Sequence, residues 1–224
     1  MNIKIIRVFT IIISVSILLI SANSIAQGPD IKRNLDQRVI TFLEKHRGTW
    51  VDLNIPMSDG KILYNLIINN GYKNALEIGT STGLSAIYMA WALSKTGGKL
   101  ITIEIDNERY QKAISNFKEA GLSEDIDARL ADAHELVKTL KGPFDFVFCD
   151  ADKDWYTNYF IAINPKLKIG GCYTAHNVSD RHWGGGEGTE KFYAYIKKLP
   201  YMDTSVDESG GGISISFKRA PIVK

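Results

Sequence analysis

Residues 74–83 read Asn-Ala-Leu-Glu-Ile-Gly-Thr-Ser-Thr-Gly, a short apolar strand that runs directly into a glycine-rich turn. A helical pattern follows from Ser81 to Leu93. Glycines in such a turn let the backbone approach a ligand closely, and the helix amino terminus behind them favours polar or anionic groups. An ordinary tight turn between a strand and a helix uses the same residues, so this segment alone is a weak sign of a binding site.

Strand and helix patterns alternate along the rest of the chain. Strands are expected at Asn74–Gly79, Lys99–Ile105, a short stretch ending at Ala128–Ala131, Phe144–Asp150, Gly171–Ala175, around Thr204–Val206 and at Ile213–Lys218. Helices are expected at Pro29–His46, Ser58–Asn69 with Ser58 as its cap, Ser81–Leu93, Glu108–Ala120, Ala133–Leu140, Trp155–Ile163 and Thr189–Lys198. This alternation predicts an α/β fold: a doubly wound, Rossmann-like, mostly parallel sheet of seven strands with an antiparallel edge hairpin at glycines 210–212. Such sheets bind ligands at the carboxyl ends of their strands.

The first 26 residues have the features of an export signal. Lys4 and Arg7 precede the largely apolar run Val8–Ile20, and Ser24-Ile25-Ala26 offers the small residues at which a signal peptidase cleaves. The run is shorter than the ~20 residues of a transmembrane helix. We therefore expect cleavage after Ala26, export to the bacterial periplasm or the medium, and no stable membrane association afterwards. An uncleaved N-terminal anchor is the alternative.

The remaining chain has the composition of one globular domain. Of 224 residues, 45% are hydrophobic, which is enough for a packed core. We expect a single domain over residues 27–224, with N-terminal helices over 27–70 and the Rossmann-like core over 74–219. Loss of the signal would leave 25 basic and 25 acidic residues. No basic cluster marks a nucleic-acid partner.

Two cysteines, Cys149 and Cys172, lie in apolar runs on strands that we expect to be neighbours. Export would permit a disulfide. However, parallel neighbours rarely offer the required geometry, and a buried free thiol is the commoner role of such residues.

An acidic residue, Glu104, ends the second strand, 27 residues after Glu77. A carboxylate at this point suits a ribose diol, because it accepts hydrogen bonds from both hydroxyls. NAD and S-adenosylmethionine (SAM) both carry such a ribose. The first turn lacks the middle glycine that NAD sites use for the pyrophosphate, and SAM has no pyrophosphate. Asp132, after the third strand, lies where an adenine edge would sit, although it could equally cap the next helix.

A second distinctive segment runs from Phe144 to Tyr156. A mostly apolar strand leads into Asp150, Asp152 and Asp154, with Lys153 among them. A solvated charge cluster is the ordinary explanation. Because this cluster begins at a strand end that points into the expected cleft, a functional role is favoured.

The chain resembles the cation-dependent O-methyltransferases related to caffeoyl-CoA and catechol O-methyltransferases. The resemblance is carried by Leu76–Ser85, Thr102–Asp106 and Asp150–Tyr156, and it extends from about residue 35 to 219. It implies a SAM-dependent enzyme that methylates a hydroxyl of a small aromatic, catechol-like acceptor. It also implies a homodimer, for which the helix Pro29–His46 offers an apolar contact stripe that could equally cover the sheet.

The resemblance assigns roles to individual residues. It places Glu77, Gly79 and Ser85 at the methionine end of the cofactor, Glu104 on the ribose, Asp132 near the adenine, the segment Asn54-Ile55-Pro56 over the cofactor, Asp150 on a metal ion, and Lys153 as the general base. Methyl transfer assisted by a metal ion and a general base is physically reasonable, since a phenol with a pKa of about 10 is a poor nucleophile near neutral pH. A divalent cation that binds two adjacent oxygens orients them and lowers that pKa.

One position departs from the family pattern. The family has Asp-Asn at the end of the fifth strand, whereas this chain has His176-Asn177 after Ala175. A site made of Asp150, His176 and Asn177 would favour Mn²⁺ over Mg²⁺, because hard Mg²⁺ prefers oxygen ligands. The other interpretation is that the metal is lost and His176 acts as a base or fills the cleft.

Two further possibilities follow from the sequence. Trp183, in the segment Arg181–Gly186, could stack on an aromatic acceptor or could simply belong to a mobile glycine-rich loop. The competing functions are an NAD-type oxidoreductase on the same fold and an exported binding protein that kept the fold without the chemistry.

Overall fold

The computed structural model describes residues 34–181 and 185–222. The expected export signal and Trp183 lie outside these residues. Among the helices that the model describes, none combines the length and apolar character needed to cross a membrane.

Seven strands form one sheet, which confirms the predicted α/β fold. They are β1 (Asn74–Ile78), β2 (Lys99–Glu104), β3 (Ile126–Leu130), β4 (Phe144–Cys149), β5 (Leu167–His176), β6 (Met202–Asp207) and β7 (Ile213–Lys218). Their order is β3-β2-β1-β4-β5-β7-β6. The first five strands are parallel, and β7 pairs antiparallel with both β5 and β6. The hairpin thus lies at one edge of the sheet, as the sequence predicted.

The helices occupy the crossovers between these strands. They are α1 (helical over 34–45), α2 (Met57–Asn70), α3 (Leu84–Thr96), α4 (Asn107–Ala120), α5 (Ala133–Thr139), α6 (Tyr156–Ile163) and α7 (Glu187–Ile196). Two predicted starts were wrong. The N-cap of α2 is Pro56 rather than Ser58, whose hydroxyl donates to Asp59 instead. The start of α3 is Leu84, because the preceding residues form the turn that ends at Gly83 with φ 98°.

The sheet is covered on both faces by apolar side chains. Along β4, Phe146 and Phe148 pack into one hydrophobic cluster, whereas Val147 and Cys149 pack into the other. Alternate residues of a strand point to opposite faces, so a strand buried on both sides reads as one apolar run. This packing holds the carboxyl ends of the central strands rigidly at one edge.

The same alternation separates the two cysteines. Cys149 belongs to one cluster and Cys172 to the opposite one, and both are free thiols. Burial raises the pKa of each thiol to about 12. Neighbouring strands therefore do not bring the two sulfur atoms together.

Helix α1 uses its apolar stripe within the chain itself. Val39, Phe42 and Leu43 are buried in the same cluster as α2 and α3. The stripe that could have formed a dimer contact thus covers this chain's own core.

Candidate functional site

The glycine-rich turn after β1 lies directly against the turn after β4. Gly79 has φ 99°, and a Cβ there would stand 2.4 Å from the backbone oxygen of Asp150. Glycine tolerates this backbone conformation and this close approach, and a larger residue does not. The backbones of the two segments that the sequence singled out, around Gly79 and Asp150, are therefore in direct contact.

Glu104 is held in place by backbone amides. Its Oε2 accepts from the amide of Ser81 at 2.7 Å, and its Oε1 accepts from the amides of Ile105 and Asp106 at 3.0 and 2.9 Å. Oε2 accepts only one bond and keeps a second lone pair, so this group can still accept from a ligand's hydroxyl. The geometry gives a preorganised acceptor at the end of β2.

Glu77 lies beneath the turn rather than on the surface of the cleft. Its side chain is fully buried and accepts hydrogen bonds of 2.5 Å from the hydroxyls of Ser85 and Thr102. Burial raises the pKa of Glu77 to about 8, against the opposing effect of these two hydroxyls. The nearby charges of Asp150 and Glu104 act in the same direction as burial.

An open cleft runs along the carboxyl ends of β1 to β4. Gly79, Glu104, Asp132 and Asp150 line it, as the sequence predicted for the site. Ile55 does not line it and packs into the core, whereas Leu53, two residues earlier, does. The structure thus brings most of the predicted residues to one cleft, with Glu77 and Ser85 directly below.

Asp132 caps α5 as the alternative interpretation suggested. Its carboxylate accepts from the amide of His134 at 2.8 Å. His134 was missed by sequence reasoning, although it lies only two residues after a predicted site residue. Its ring stands between Asp132 and Asp152 and stacks on Tyr159 with centroids 5.6 Å apart. These groups form an aromatic and acidic wall of the cleft.

A segment before α2 crosses over the glycine-rich turn. The side-chain amide of Asn54 donates to the hydroxyl of Thr82 at 2.8 Å, and the hydroxyl of Ser81 donates to the carbonyl of Asp52. Arg109 pairs with the carboxylate of Asp52 at 3.1 Å. Of the predicted covering segment, Asn54 therefore contacts the turn, together with Asp52 two residues earlier.

Lys153 contacts Asp150, which lines the cleft. The ammonium of Lys153 donates to Asp150 Oδ1 and to the hydroxyl of Tyr156, the latter at 2.8 Å. Tyr156 in turn donates to the backbone oxygen of His176 at 3.2 Å. The Lys153 side chain is 28% exposed, so it stays accessible to a ligand.

His176 bridges two carboxylates. Its Nε2 lies 2.9 Å from Asp59 Oδ2, and its Nδ1 lies 3.2 Å from Asp150 Oδ2. Burial by itself lowers the pKa of His176, but the hydrogen bonds to Asp150 and Asp59 outweigh it and raise that pKa to about 9. The pKa of Asp59 is lowered, because hydrogen bonds from His176 and the Gly211 amide outweigh the effect of burial.

Sequence reasoning missed Asp59. An acidic residue in the first turn of a helix is ordinary, because it interacts favourably with the helix dipole. Asp59 is nevertheless fully buried, and its partner His176 lies 117 residues further along the chain. A charged residue among the buried positions of α2 was the available signal.

The glycines before β7 close over this pair. The amide of Gly211 donates to Asp59 Oδ2 at 2.8 Å. A Cβ at Gly211 would stand 2.5 Å from His176 Nε2, and one at Gly210 would stand 1.5 Å from Asp59 Oδ1. The glycine run predicted as a hairpin turn therefore also seals one side of the site.

The resemblance implies a divalent cation on Asp150, His176 and Asn177. The structure brings Asp150 into contact with His176, and Asn177 follows with a left-handed backbone of φ 56°. However, His176 directs both ring nitrogens at carboxylates, which leaves no ring lone pair for a metal. Within residues 34–181 and 185–222, no three His, Cys, Asp or Glu side chains are arranged to hold a metal. The donor set present here does not fit the cation.

Known O-methyltransferases are similar to this chain in sequence. A profile of the O-methyltransferase family matches residues 32–187. A catechol O-methyltransferase from Niastella koreensis is 40% identical over 130 residues, which cover 56% of this chain and 58% of that protein. Caffeoyl-CoA O-methyltransferase 1 from Eucalyptus globulus is 34% identical over 141 residues, which cover 61% of this chain and 56% of that protein. Both matches span less than two thirds of the relative's own length.

A solved structure is similar in fold. The O-methyltransferase TomG from Streptomyces achromogenes, in complex with SAM, matches with a TM-score of 0.69 and 25% identity. The match covers 82% of this chain and 90% of that one. Sequence and structure therefore lead to the same group of proteins.

Proposed function

The chain belongs to the O-methyltransferase family, and on this premise we propose that it transfers a methyl group from SAM to a hydroxyl of a small acceptor. The observation that carries the proposal is Glu104. Three backbone amides orient its carboxylate at the cleft, where Oε2 can still accept from a hydroxyl of a ribose.

The charge of the cleft supports SAM over NAD. Acidic side chains line it at four positions: Glu104, Asp132, Asp150 and Asp152. Two basic side chains are among the lining residues: Arg109 is paired with Asp52, and His134 lies against Asp132 and Asp152. A pyrophosphate would be repelled here, whereas the sulfonium and ammonium groups of SAM would be attracted.

In the proposed complex the methionine end of SAM lies over Gly79, Glu77 and Ser85. The ribose binds Glu104, and the adenine lies near Asp132. Glu77 then faces a positively charged ligand from below, while Asn54 and its neighbours hold the glycine-rich turn from above. These roles are those implied by the family, placed on the residues that the structure brings together.

The region around Asp150 and Lys153, here called the reaction end, supplies positioning and proton transfer. The Lys153 ammonium would first release a proton to solvent, and an acceptor hydroxyl held beside Lys153 and Asp150 would then give its proton to the neutral Lys153 amine as its oxygen attacks the methyl carbon. The carbon–sulfur bond breaks as the carbon–oxygen bond forms, which leaves S-adenosylhomocysteine. An aromatic, catechol-like acceptor fits the similarity to catechol and caffeoyl-CoA O-methyltransferases.

Calorimetry on residues 27–224 tests the cofactor, followed by turnover with catechol. We expect SAM to bind more tightly than NAD, and catechol to become methylated. Tighter binding of NAD would contradict the proposal. Binding of SAM without methylation of any hydroxylated acceptor would favour a binding protein that kept only the fold.

We also propose that the protein is exported after cleavage behind Ala26. The support is the basic, apolar and small-residue order of residues 1–26. Intact-mass measurement of protein from its native envelope should show a chain that starts at Gln27. A mass that includes Met1 would indicate an anchored protein.

A further inference from the structure

The bridge Asp59–His176–Asp150 lies at the end of β5, where the family pattern would place a metal-binding carboxylate. Building on the proposed function, we propose that this bridge replaces the divalent cation, and that this enzyme transfers methyl groups without a bound metal. In this arrangement Asp59 is a positioning residue, which acts through His176 on Asp150.

The first reason lies in the surroundings of the His176 ring. Both ring nitrogens lie within 3.2 Å of carboxylate oxygens, and an ionised carboxylate only accepts. Nε2 therefore donates to Asp59, and the carboxylate of Asp150 beside Nδ1 favours a proton on that nitrogen as well. A ring with N–H on both sides has no lone pair with which to coordinate a metal.

The oxygens of the two acids are also engaged. Asp59 Oδ2 accepts from His176 and from the amide of Gly211, and Asp59 Oδ1 accepts from the hydroxyl of Ser58. Asp150 Oδ1 accepts from Lys153, while Asp150 Oδ2 faces His176. An incoming cation would compete with these donors for the same oxygens, and it needs six or more oxygen ligands.

The charges around the bridge are balanced. Two acids, Asp59 and Asp150, face two basic side chains, His176 and Lys153. A divalent cation is retained where carboxylates provide excess negative charge. With His176 in place of the family's carboxylate, one negative charge is lost and one basic group is gained.

The bridge is buried. Asp59 is fully buried and His176 is 5% exposed. The backbone of Gly211 lies against His176 Nε2, so the ring cannot swing toward α2 without moving the turn before β7. The chain from Asp59 through His176 and Asp150 to Lys153 is thus a fixed support for the group that faces the acceptor.

Titration of the mature chain with Mn²⁺, followed by electron paramagnetic resonance, tests this directly and needs no turnover. We expect no stoichiometric binding up to about millimolar Mn²⁺, and no tightly held metal by elemental analysis. With SAM and catechol, turnover in excess EDTA should stay within twofold of the untreated rate. Binding of one Mn²⁺ per chain, or a tenfold loss of turnover in EDTA that Mn²⁺ or Mg²⁺ restores, would overturn the proposal.

The variant His176→Asp provides the matched comparison. It restores a carboxylate beside Asp150 and Asn177, so it should gain Mn²⁺ binding that the wild-type chain lacks. A wild-type chain that binds Mn²⁺ as tightly as this variant would contradict the proposal. Should the variant fail to fold, the wild-type titration still decides the question. If no acceptor is methylated at all, the proposed function fails while the metal titration stands on its own.

Discussion

Glu77 and Asp59 are both fully buried carboxylates near the same cleft, yet their pKa values move in opposite directions. Glu77 has two hydroxyl partners, and burial raises its pKa to about 8. Asp59 has an imidazole and a backbone amide, and its pKa is lowered. Burial alone therefore does not decide whether an acid is charged, because the partners decide it.

The difference divides the cleft into two ends. The cofactor end, around Glu77 and Glu104, holds acids whose hydrogen-bond donors among the described residues are hydroxyls and backbone amides. The reaction end, around Asp150, is already compensated by His176 and Lys153. A cationic ligand such as SAM is thus favoured at the first end, and a metal cation is not favoured at the second.

The largest expected effect comes from removing Lys153. Lys153→Ala should lower kcat by about 10²- to 10⁴-fold, the usual contribution of a general base. SAM affinity should stay within about twofold, because the base acts only in the chemical step. Steady-state kinetics and calorimetry together check this.

A matched control is Lys168→Ala, which removes a lysine paired with Asp145 outside the lining of the cleft. It should leave kcat unchanged. If Lys153→Ala weakens SAM binding as much as it lowers kcat, the two ends of the cleft are not separate in function.

At the cofactor end, Glu104→Ala should weaken SAM binding by about 1.5–3 kcal/mol, the scale of hydrogen bonds to a charged group. This corresponds to a loss of roughly 10- to 150-fold in Kd at 25 °C. Glu135→Ala, which removes an exposed acid on α5, is the control and should have no effect. Unchanged affinity in Glu104→Ala would remove this residue from the site.

In the turn before β7, we expect position 211 not to tolerate a side chain. In Gly211→Ala the new methyl group meets His176 Nε2, and overpacking of this kind costs about 1–3 kcal/mol of unfolding free energy. Ser209→Ala, at an exposed position of the same turn, should lose less than about 1 kcal/mol. Urea denaturation measures both. Equal stability of Gly211→Ala and wild type would show that the turn does not press on the bridge.

The smallest expected effect is the release of a proton from Glu77 when SAM binds. Between pH 4.5 and about 8 the folded chain holds a proton on Glu77 that the unfolded chain has lost, so this group's contribution to stability falls as pH rises through that range. A cationic ligand favours the ionised carboxylate and should expel the proton. Calorimetry of SAM binding near pH 6.5 in buffers of different ionisation enthalpy should show release of up to about one proton.

Glu77→Gln removes the titrating group and should abolish this release. Proton release that persists in the variant would assign it to another group. Proton uptake by the wild-type chain would mean that SAM does not approach Glu77.

The sequence predicted which residues lie together at the proposed cofactor end, apart from Ile55, because the signals there are local. The apolar strand, the turn at Gly79 and the acid at Glu104 each follow from a few neighbouring residues, and the sheet that joins them follows from the alternation of strands and helices. Element boundaries were less accurate where glycines interrupt a pattern. For β5 the prediction began at Gly171, whereas the strand begins at Leu167.

The reaction end could be predicted only in part. Asp150, Lys153 and His176 were identified from strand ends, but their mutual contacts were not. The partner of His176 is Asp59, on a helix that precedes the sheet, and nothing near Asp59 in the sequence indicates that it is buried against an imidazole. Contacts between distant segments depend on how helices pack on the sheet, which residue patterns do not encode.

The hydrogen bond from Gly211 to Asp59 joins residues that are 152 positions apart. A ribosome adds about 5–20 residues per second, so roughly 8 to 30 s separate the synthesis of the two partners. Glu77, by contrast, finds Ser85 eight residues later. Contacts between distant positions form late in folding, because closing a long loop has a large entropic cost. The segment around Glu77 and Ser85 can therefore take shape on a nascent chain, whereas Asp59 remains without Gly211 until that residue has been made, and the proposed reaction end is completed last.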